Sequence, residues 1–395
     1  MRVLQVQSSS RTRGGADDVM AAEAELLRSA GHSVEQLRYE PVGETAGLRE
    51  ALDVVWNRAA ERKVAALVER SRPDVVHVHS PYPLLSPAVF RAASRAGAAT
   101  VTTLHSYRLV CVVGTCLRDG RICEDCVGKT VKLPGVLHRC YHDSRAASGA
   151  MALSLATHRL AGTFRYDVHR YLALTDFARD LLVRDGYPAD RIGVAPNSVA
   201  DPGEPPPRSG PLGYVVFLGR FVPEKGLATL LEAWKSLSVP LKIAGDGPGR
   251  PAVERAAAAN PAVEYVGWLD AAAQHSLLAG AGALVFPSTW YEGQPLALLQ
   301  AMAHGVPVVS SDIANIEETA VAQGGGLSFA AGRATSLTGA VTRLADAPDL
   351  ARRLGAAGRD AYLRRHTPQR SLGCLVDHYE RALRTRDGAR SGAGG

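Results

Sequence analysis

Arg220, Lys225 and Glu292 are the charged side chains whose positions in the sequence best suit chemistry on a ligand. Arg220 and Lys225 follow the apolar run 214–218, and Glu292 follows the apolar run 283–286. Both runs predict buried strands, and in an open parallel sheet ligands bind at the carboxyl ends of the strands. Two cations there suit a diphosphate, because a guanidinium forms paired hydrogen bonds and an ammonium adds a point charge. A carboxylate where a helix begins can accept hydrogen bonds from sugar hydroxyls.

Each of these side chains also has a purely structural interpretation. Glu292 could cap the helix that the sequence predicts over 295–303, and Lys225 could form a surface ion pair with Glu224. We favour ligand binding, because the cations and the carboxylate each stand on a loop or turn that follows a predicted strand.

Short apolar runs alternate with helical patterns along the chain, which is typical of an α/β fold. The length of 395 residues suggests two domains, with three as the alternative. We expect an N-terminal domain over 1–200 and a second domain over 212–365, joined by the proline-rich linker 201–211. A last helix is expected over 366–386, and the glycine-rich tail 387–395 is expected to be disordered.

The N-terminal domain carries a second set of candidate residues. Gly14 and Gly15 stand between a strand and a helix, where they would let the backbone approach a phosphate or a sugar, although an ordinary turn is the alternative. The strand 99–104 delivers His105 to its carboxyl end. An imidazole there can donate to a sugar hydroxyl or to a developing charge.

Two further segments of this domain give structural predictions. Apolar residues at helical spacing predict one long helix over 44–70. The strand 74–79 contains His77 and His79 at alternating positions, which place both side chains on one face of the sheet. They could be metal ligands, but we interpret them as two histidines that share one face at the edge of the sheet, near the cleft.

Five of the six cysteines crowd into a predicted insertion over 105–145. In a reducing compartment such a cluster favours a metal over disulfides. Cys123 and Cys126 have the C-x-x-C spacing of a zinc site, and two more thiolates would complete a tetrahedral set. The candidate ligands are Cys111, Cys123, Cys126 and Cys140. This zinc would be structural, because four thiolates leave no open position for water; reduced thiols or a redox pair are the alternatives.

The overall composition limits the classes of partner. A net charge of +6 and a pI near 9.0 favour anionic ligands or an anionic membrane surface, although scattered surface arginines explain the excess equally well. No apolar run reaches roughly 18 residues and no secretory signal opens the chain, so we expect a cytoplasmic protein, with peripheral contact at the inner membrane face as an alternative. No nucleic-acid-binding module is recognisable, and nucleic acid is not an expected partner. The oligomeric state is left open.

The motifs around these residues resemble those of family 4 glycosyltransferases. The run from Gly219 to Gly226 matches the family pattern G-R-x-x-x-E-K-G. The run from Glu292 is similar to the pattern E-G-x-x-x-x-x-x-E-A, except that Gln300 replaces the second glutamate. The glycine pair and the H-x-Y sequence at His105 resemble the N-terminal domain of the family, and the cysteine-rich insertion is similar to that of a bacterial subset.

The resemblance implies two doubly wound Rossmann-like α/β domains that face each other across a cleft, the GT-B arrangement, with the last helix crossing back onto the first domain. It implies transfer of a sugar from a UDP- or GDP-sugar to a hydroxyl of a saccharide, lipid-linked or small-molecule glycoside acceptor. The anomeric configuration would be retained, and no metal cofactor would be needed for catalysis.

The resemblance also implies roles for individual residues. Arg220 and Lys225 would stabilise the leaving diphosphate. Glu292 and His105 would orient the donor sugar, and Gln300 would bind the ribose. The residues expected to contact the substrates are Gly14, Gly15, Arg220, Lys225, Gly293, Gln294, Leu296 and Gln300.

Other functions fit the same fold. One alternative is a sugar-nucleotide-binding subunit without activity. In that case Gln300, which lacks the charge of the family's glutamate, would mark the lost activity. A phosphorylase would need a second anion site, and an epimerase would need a carboxylate base from the first domain. The sequence gives no clear candidate for either.

Overall fold

The computed structural model describes residues 1–8, 15–40, 48–206 and 212–392. The chain forms two compact units. Unit 1 consists of Met1–Arg118, Cys123–Pro196 and Ser371–Gly395, and unit 2 consists of Asp119–Ile122 and Asn197–Arg370. The chain therefore passes from unit 1 to unit 2 between Pro196 and Asn197, inside the domain expected over 1–200.

Unit 1 is built on a parallel sheet. The strands up to the boundary are, in chain order, β1 (Arg2–Ser8), β2 (Ser33–Tyr39), β3 (Val75–Ser80), β4 (Ala99–Thr103), β5 (Leu117–Arg118), β6 (Arg121–Ile122), β7 (Arg170–Ala173) and β8 (Ile192–Val194). Strands β5 and β6 form a small separate pair, and the other six have the order β2-β1-β3-β4-β7-β8 with every neighbour parallel. Strands β3, β4 and β7 are almost entirely buried, as expected for a parallel sheet covered on both faces.

The helices of the same part of the chain lie between these strands. They are α1 (Gly15–Ser29), α2 (Leu48–Val55), α3 (Arg58–Ser71), α4 (Ala88–Arg95), α5 (Leu133–Leu137), α6 (Arg145–Leu160), α7 (Thr163–Tyr166) and α8 (Asp176–Arg184). The single helix predicted over 44–70 is wrong within its described part, because α2 and α3 are separate. Asn57 lies between them, where its side chain accepts from the Ala60 N–H and donates to the Leu84 carbonyl. An N-cap residue has non-helical backbone angles, so the helix starts anew there.

Unit 2 contains a second six-stranded parallel sheet. Its strands are β9 (Val215–Leu218), β10 (Leu241–Ala244), β11 (Val263–Gly267), β12 (Ala283–Phe286), β13 (Val308–Ser311) and β14 (Gly326–Phe329). Their order is β11-β10-β9-β12-β13-β14. The strand order reverses between β9 and β12, which is the position where open α/β sheets bind their ligands.

The helices of unit 2 cover both faces of this sheet. They are α9 (Leu227–Ala233), α10 (Arg250–Ala259), α11 (Ala271–Gly280), α12 (Leu296–Ala303), α13 (Ala314–Thr319), α14 (Ala334–Ala345) and α15 (Pro348–Arg365). Alternate residues of the strands enter two separate apolar cores: Val215 and Phe217 enter one, and Val216 and Leu218 enter the other. The prediction of two α/β domains, each with a parallel sheet, is confirmed.

The last helix, α16 (Pro368–Gly392), belongs for most of its length to unit 1. Its residues Leu375, Tyr379 and Ala382 are buried in an apolar core with Val3 and Val75 of the first sheet. The helix continues to Gly392, so the described part of the tail expected to be disordered over 387–395 is helical. Within the described ranges, none of the helices combines the length and the hydropathy that crossing a membrane requires.

The cysteine-rich segment is fastened to unit 1 by a buried ion cluster around Asp185. The Asp185 carboxylate accepts from Lys132 Nζ at 2.6 Å, from the Gly128 N–H at 2.7 Å and from Arg159 Nη2 at 2.5 Å. Lys132 also donates to the Cys126 carbonyl. Lys132 and Asp185 are each 1% exposed. Burial of ions at this depth is tolerated only when they are paired, so the cluster holds the segment in one position.

Candidate functional site

The candidate site of unit 2 lies where two neighbouring strands end. Strand β9 leads into the loop that carries Arg220 and Lys225, and strand β12 leads into the turn that carries Glu292. These strands are hydrogen-bonded neighbours at the point where the strand order reverses. The fold therefore brings two segments that are distant in sequence to one edge of the sheet.

Lys225 and Glu292 form an ion pair. Lys225 Nζ lies 2.7 Å from Glu292 Oε1, and the two side chains are 15% and 8% exposed. The same oxygen accepts from Ser288 Oγ at 2.5 Å and from Trp290 Nε1 at 2.7 Å. Lys225 Nζ also lies 5.4 Å and 5.8 Å from the ring centroids of Phe286 and Trp290, within the range of cation–π attraction. Three donors and two aromatic rings thus fix the positions of the lysine and the carboxylate.

Gly226 allows the two loops to approach this closely. Its φ is +73°, and a Cβ atom built on it would lie 1.8 Å from the Pro287 carbonyl oxygen. Any other residue would therefore be strained and would collide with backbone. Next to this contact, the Thr289 N–H donates to the Glu224 carbonyl at 2.9 Å, which ties the loop after β9 to the turn after β12.

The backbone around Glu292 is held from two sides. Asn315, which is fully buried in α13, donates through Nδ2 to the Glu292 carbonyl. Gln294 accepts through its side-chain oxygen from the Asn197 N–H at 2.6 Å, and Asn197 Nδ2 donates to the Gln294 carbonyl at 3.0 Å. The side chain of Gln294 therefore has a structural role in unit 2, and its contact with substrate stays a prediction.

The other residues predicted for this site have different environments. Arg220 is exposed and forms no ion pair with any residue that the structure describes. Gln300 is half-buried on α12, and its side chain makes no hydrogen bond within the described ranges. Gly293 and Leu296 are also half-buried, and Leu296 packs against the apolar core of unit 2. All are within the segments that follow β9 and β12.

His105 belongs to unit 1, where it follows β4 and takes part in a buried chain of polar groups. His105 Nε2 and His79 Nδ1 share a hydrogen bond of 3.0 Å, and His79 Nε2 lies 3.5 Å from Glu23 Oε2. Burial lowers the pKa of His105 to about 4 and that of His79 well below its usual value, so both imidazoles are neutral near pH 7. Burial raises the pKa of Glu23 to about 8. This row of polar groups therefore places the protonated carboxyl of Glu23 next to the neutral imidazoles of His79 and His105.

Glu23, His77 and His79 also bring potential metal-ligating atoms within 4.8 Å of one another. His77 has other partners, however. Its Nδ1 shares a hydrogen bond with Tyr379 OH and its Nε2 with Thr103 Oγ1, each at 2.8 Å. We therefore interpret His77 as a packed histidine of the sheet.

The paired glycines are only partly described. Gly15 is exposed at the start of α1, with open space around it. Gly14 lies outside the described residues.

The four cysteines predicted as metal ligands line one small cavity. Cys111, Cys123, Cys126 and Cys140 surround a space of about 20 Å³, together with Val112 and Gly135 among others. Cys116 does not line it and contacts the Cys111 thiol instead. Among the described residues no three cysteine sulfurs lie within 4.8 Å of one another, so a bound metal would have to draw them inward.

Several residues that position the site were not predicted from the sequence. Ser288 and Trp290 stand next to Glu292 in the same turn, and their polar groups at short spacing could have indicated bonds to the carboxylate. Asn315 comes from a separate element, and no local pattern indicates its contact.

Two family models match the chain. The model described as a glycosyl transferase 4-like domain matches residues 14–198, and the model described as glycosyl transferases group 1 matches residues 213–347. The two matches correspond to the two parallel-sheet domains.

Individual relatives give the same assignment. An uncharacterized glycosyltransferase of Bacillus subtilis, YqgM, is 29% identical over 228 residues, which are 53% of this chain and 60% of the relative. The O-antigen chain mannosyltransferase B of Escherichia coli is 31% identical over 37% of this chain and 44% of the relative. A phosphatidyl-myo-inositol mannosyltransferase of Mycolicibacterium smegmatis is 27% identical over 76% of this chain and 73% of the relative. The chain thus spans less than two thirds of the first two relatives and more of the third.

Solved structures share the fold. Anabaena HepE in complex with UDP aligns with a TM-score of 0.66 at 15% identity, over 95% of this chain and 99% of that chain. The sucrose-phosphate synthase of Thermosynechococcus elongatus aligns with a TM-score of 0.69 at 17% identity, over 96% and 98% of the two chains. Both parallel-sheet domains thus match glycosyltransferase family models in this order along the chain, and the chain shares with the solved structures a fold of two Rossmann-like α/β domains of the GT-B type.

Proposed function

We propose that this protein transfers a sugar from a nucleotide-diphosphate sugar to a hydroxyl group of a saccharide, lipid-linked or small-molecule glycoside acceptor, with retention at the anomeric carbon. The observation that carries the proposal is the meeting of the loop after β9 with the turn after β12, marked by the contact of 2.7 Å between Lys225 and Glu292. Structures of HepE with UDP and with UDP-glucose support a donor of this class, while two relatives are named mannosyltransferases. A UDP- or a GDP-sugar is therefore the donor.

In the proposed reaction the bond between the anomeric carbon and the leaving phosphate oxygen breaks. The acceptor oxygen bonds to the same face of that carbon, and its proton passes to a phosphate oxygen of the leaving nucleotide. Arg220 and Lys225 stabilise the charge that develops on the diphosphate, a role that preorganised cations can fill without a metal. Glu292 and His105 orient the donor sugar, and Gln300 binds the ribose.

The first experiment is a thermal-shift screen of UDP, GDP, ADP and dTDP. A ligand present at 100 times its Kd adds about 2.7 kcal/mol to the free energy of unfolding. We expect one nucleotide to stabilise the natural chain and to have little effect on R220A or K225A. A uniform lack of stabilisation in the natural chain would contradict the donor assignment.

A second experiment tests the reaction itself. The purified protein is incubated with the sugar nucleotide whose base the screen selects, and the anomeric configuration of the product is read from NMR couplings. A retained configuration supports the mechanism, and an inverted one overturns it. Donor binding without transfer or hydrolysis, restored to activity by Gln300→Glu, would instead favour the sugar-nucleotide-binding subunit.

We also propose a structural zinc ion held by Cys111, Cys123, Cys126 and Cys140. The support is the C-x-x-C spacing together with the small cavity that these four side chains line. The zinc would fasten the insertion and take no part in the transfer.

Metal analysis of protein purified under reducing conditions tests this site. We expect about one zinc per chain, lost in C126S and kept in C374S, whose cysteine lies on α16. Equal metal content in both variants, or none in the natural chain, would leave the cysteines as reduced thiols.

A weak contact with an anionic membrane is a further part of the proposal. Val131, Leu133 and Leu137 are each more than half exposed, and Lys129 and Arg139 lie near them in sequence. Apolar side chains flanked by cations are typical of a membrane-surface contact. Sedimentation with anionic vesicles, but not with neutral ones, is the expected result, and L133S/L137S should abolish it.

A further inference from the structure

Arg108 presents a cation to a small cavity in unit 1. The cavity has a volume of about 50 Å³ and lies at the carboxyl ends of β3 and β4. Its polar lining comes from His79, Ser80, Tyr82, Thr103, His105, Ser106 and Arg108. Since one water molecule occupies about 30 Å³ in the liquid, the cavity has room for one small polar group.

The Arg108 guanidinium lacks a counter-charge. Its Nη1 atom is buried and has no hydrogen-bond partner, and no residue that the structure describes forms an ion pair with it. Arg108 as a whole is half-buried, but a buried polar atom without a partner, such as its Nη1, is uncommon in a folded protein. The position of Arg108 therefore indicates an anionic ligand.

The surroundings of the cavity leave this charge uncompensated. His79 and His105 are neutral near pH 7, because burial lowers the pKa of each. None of the lining residues that the structure describes has a carboxylate. The nearby acidic side chains, Asp17 and Glu23, do not line the cavity, and Asp17 accepts from Gln7 Nε2.

Arg108 is also held in place by its neighbours. Its guanidinium carbon lies 5.0 Å from the Tyr141 ring centroid, which positions the group by cation–π attraction. A Cβ atom on Gly114, whose φ is +83°, would lie 2.4 Å from Arg108 Cγ. The loop that begins the cysteine-rich segment thus closes over the stem of this arginine, and only glycine lets it come so near.

We propose that this cavity is an anion subsite, in which Arg108 binds a phosphate or carboxylate group carried by the acceptor. A guanidinium binds both groups through paired charge-assisted hydrogen bonds, and the Ser80 and Ser106 hydroxyls can supply further donors. The subsite stands on the geometry of unit 1, and the assignment of its anion to the acceptor rests on the proposed function.

Inorganic phosphate is the probe, used with the full-length chain carrying R220A/K225A so that the candidate donor site no longer competes. Binding is followed by isothermal titration and by the histidine NMR signals of unit 1. We expect saturable binding that weakens by roughly 10- to 100-fold on adding R108Q, since a hydrogen bond to a charged group is lost. R108K should retain part of the affinity, because the charge remains without its fork geometry. Acetate should compete with phosphate.

A matched control separates the anion site from a loss of structure. R139Q removes an exposed arginine of the same insertion and should bind phosphate as tightly as its parent protein. Circular dichroism and thermal unfolding check that each variant is folded. Two results would overturn the proposed subsite. One is phosphate binding of equal affinity with and without R108Q, and the other is no phosphate binding to the R220A/K225A protein that still carries Arg108.

The two proposals can fail separately. Phosphate binding at Arg108 in a protein that binds no nucleotide would keep the subsite and remove its link to an acceptor. Nucleotide binding in the natural chain, together with no phosphate binding in the R220A/K225A protein, would keep the donor assignment and reject the subsite. In R108Q alone, nucleotide binding should be unchanged, because that site belongs to unit 2.

Discussion

Lys225 Nζ lies 2.7 Å from Glu292 Oε1, and the contact joins two residues that are 67 positions apart in the sequence. The lysine is held by the carboxylate, whereas Arg220, on the same loop, is exposed. A diphosphate bound at this edge of the sheet would have to share Lys225 with Glu292. The two cations should therefore respond differently to mutation.

Substitution of either cation should slow transfer, and only one substitution should destabilise the fold. R220A and K225A are each expected to lower kcat by roughly 10²- to 10³-fold, because each removes a charge that stabilises the leaving group. K225A should also lower the free energy of unfolding by about 1–3 kcal/mol, since it leaves a buried carboxylate with one donor fewer. R220A should leave stability within about 0.5 kcal/mol. Steady-state kinetics and urea unfolding measure both effects.

The control for this pair is K235A, which removes an exposed lysine of the same unit that pairs with Glu232 at the surface. It should change neither kcat nor stability. Equal activity of R220A and the natural chain would contradict the role of the cations.

Gly226→Ala should be more destabilising than Gly332→Ala. Both glycines have a φ of +73°, so both substitutions carry the strain of a left-handed backbone, about 1–2 kcal/mol. Only Gly226 faces a backbone oxygen at 1.8 Å, whereas no atom lies within 4 Å of a Cβ on Gly332. The collision should add about 1–3 kcal/mol and separate the two loops. Denaturant unfolding compares the variants, and nucleotide binding should be lost in G226A alone.

Asp185→Asn should weaken the contact that anchors the cysteine-rich segment to the rest of unit 1 and should destabilise the protein. The substitution leaves Lys132 buried beside a neutral amide, and breaking a buried ion pair from one side costs about 3–5 kcal/mol. Asp180→Asn is the matched control, because Asp180 is 63% exposed and pairs with Arg179 at the surface. Thermal unfolding should show a large fall in Tm for D185N and almost none for D180N. Similar Tm values would mean that the ion cluster is not needed to hold the segment.

Glu23→Gln should remove a pH dependence of stability above pH 6.5. The pKa of Glu23 is raised to about 8 in the folded protein, so the folded state binds this proton more tightly than the unfolded state does. The resulting stability is complete below the usual pKa of 4.5 and is lost as the pH rises through about 8, by at most about 1.4 kcal/mol per pH unit.

The histidines around Glu23 act in the opposite direction and in another window. The pKa values of His77, His79 and His105 are lowered, so their contribution is present above 6.5 and is lost as the pH falls. Tyr379 and Asp17 also face this cluster, and burial raises the pKa of Tyr379 well above the range of the experiment. The difference in unfolding free energy between the natural chain and E23Q over pH 6.5 to 8 should therefore isolate Glu23, because groups common to both chains cancel in it. A parallel pH course for E23Q and the natural chain would reject the role of Glu23.

The sequence was sufficient to predict both sheets and the strand-end positions of the main site residues. Buried runs such as Val215–Leu218 and Ala283–Phe286 are apolar throughout. The first is followed by the loop with Lys225 and the second by the turn with Glu292. The adjacency of β9 and β12 is a property of the whole sheet, and no local pattern specifies it. The sequence therefore predicts that Lys225 and Glu292 lie at the same edge of the sheet, but it does not predict the ion pair between them.

The remaining differences come from tertiary contacts that override or complete a local pattern. The apolar spacing over 44–70 is helical, but the Asn57 side chain bonds to Leu84 from another segment and separates two helices. Lys132, Asp185 and Arg159 look like ordinary surface charges in the sequence, yet they converge in the interior. The bond from Asn315 to Glu292 depends in the same way on how α13 packs.

Unit 1 begins at the N-terminus of the chain but is completed only by helix α16 at its C-terminal end. Leu375, Tyr379 and Ala382 complete the core beneath β1 and β3, and Tyr379 bonds to His77 across 302 positions of sequence. A growing chain presents these residues only after all of unit 2 has left the ribosome. The domain that is made first therefore waits, with an open apolar face, for a helix that is made last. Unit 2 needs no such late segment, so during translation the second domain can be finished before the first.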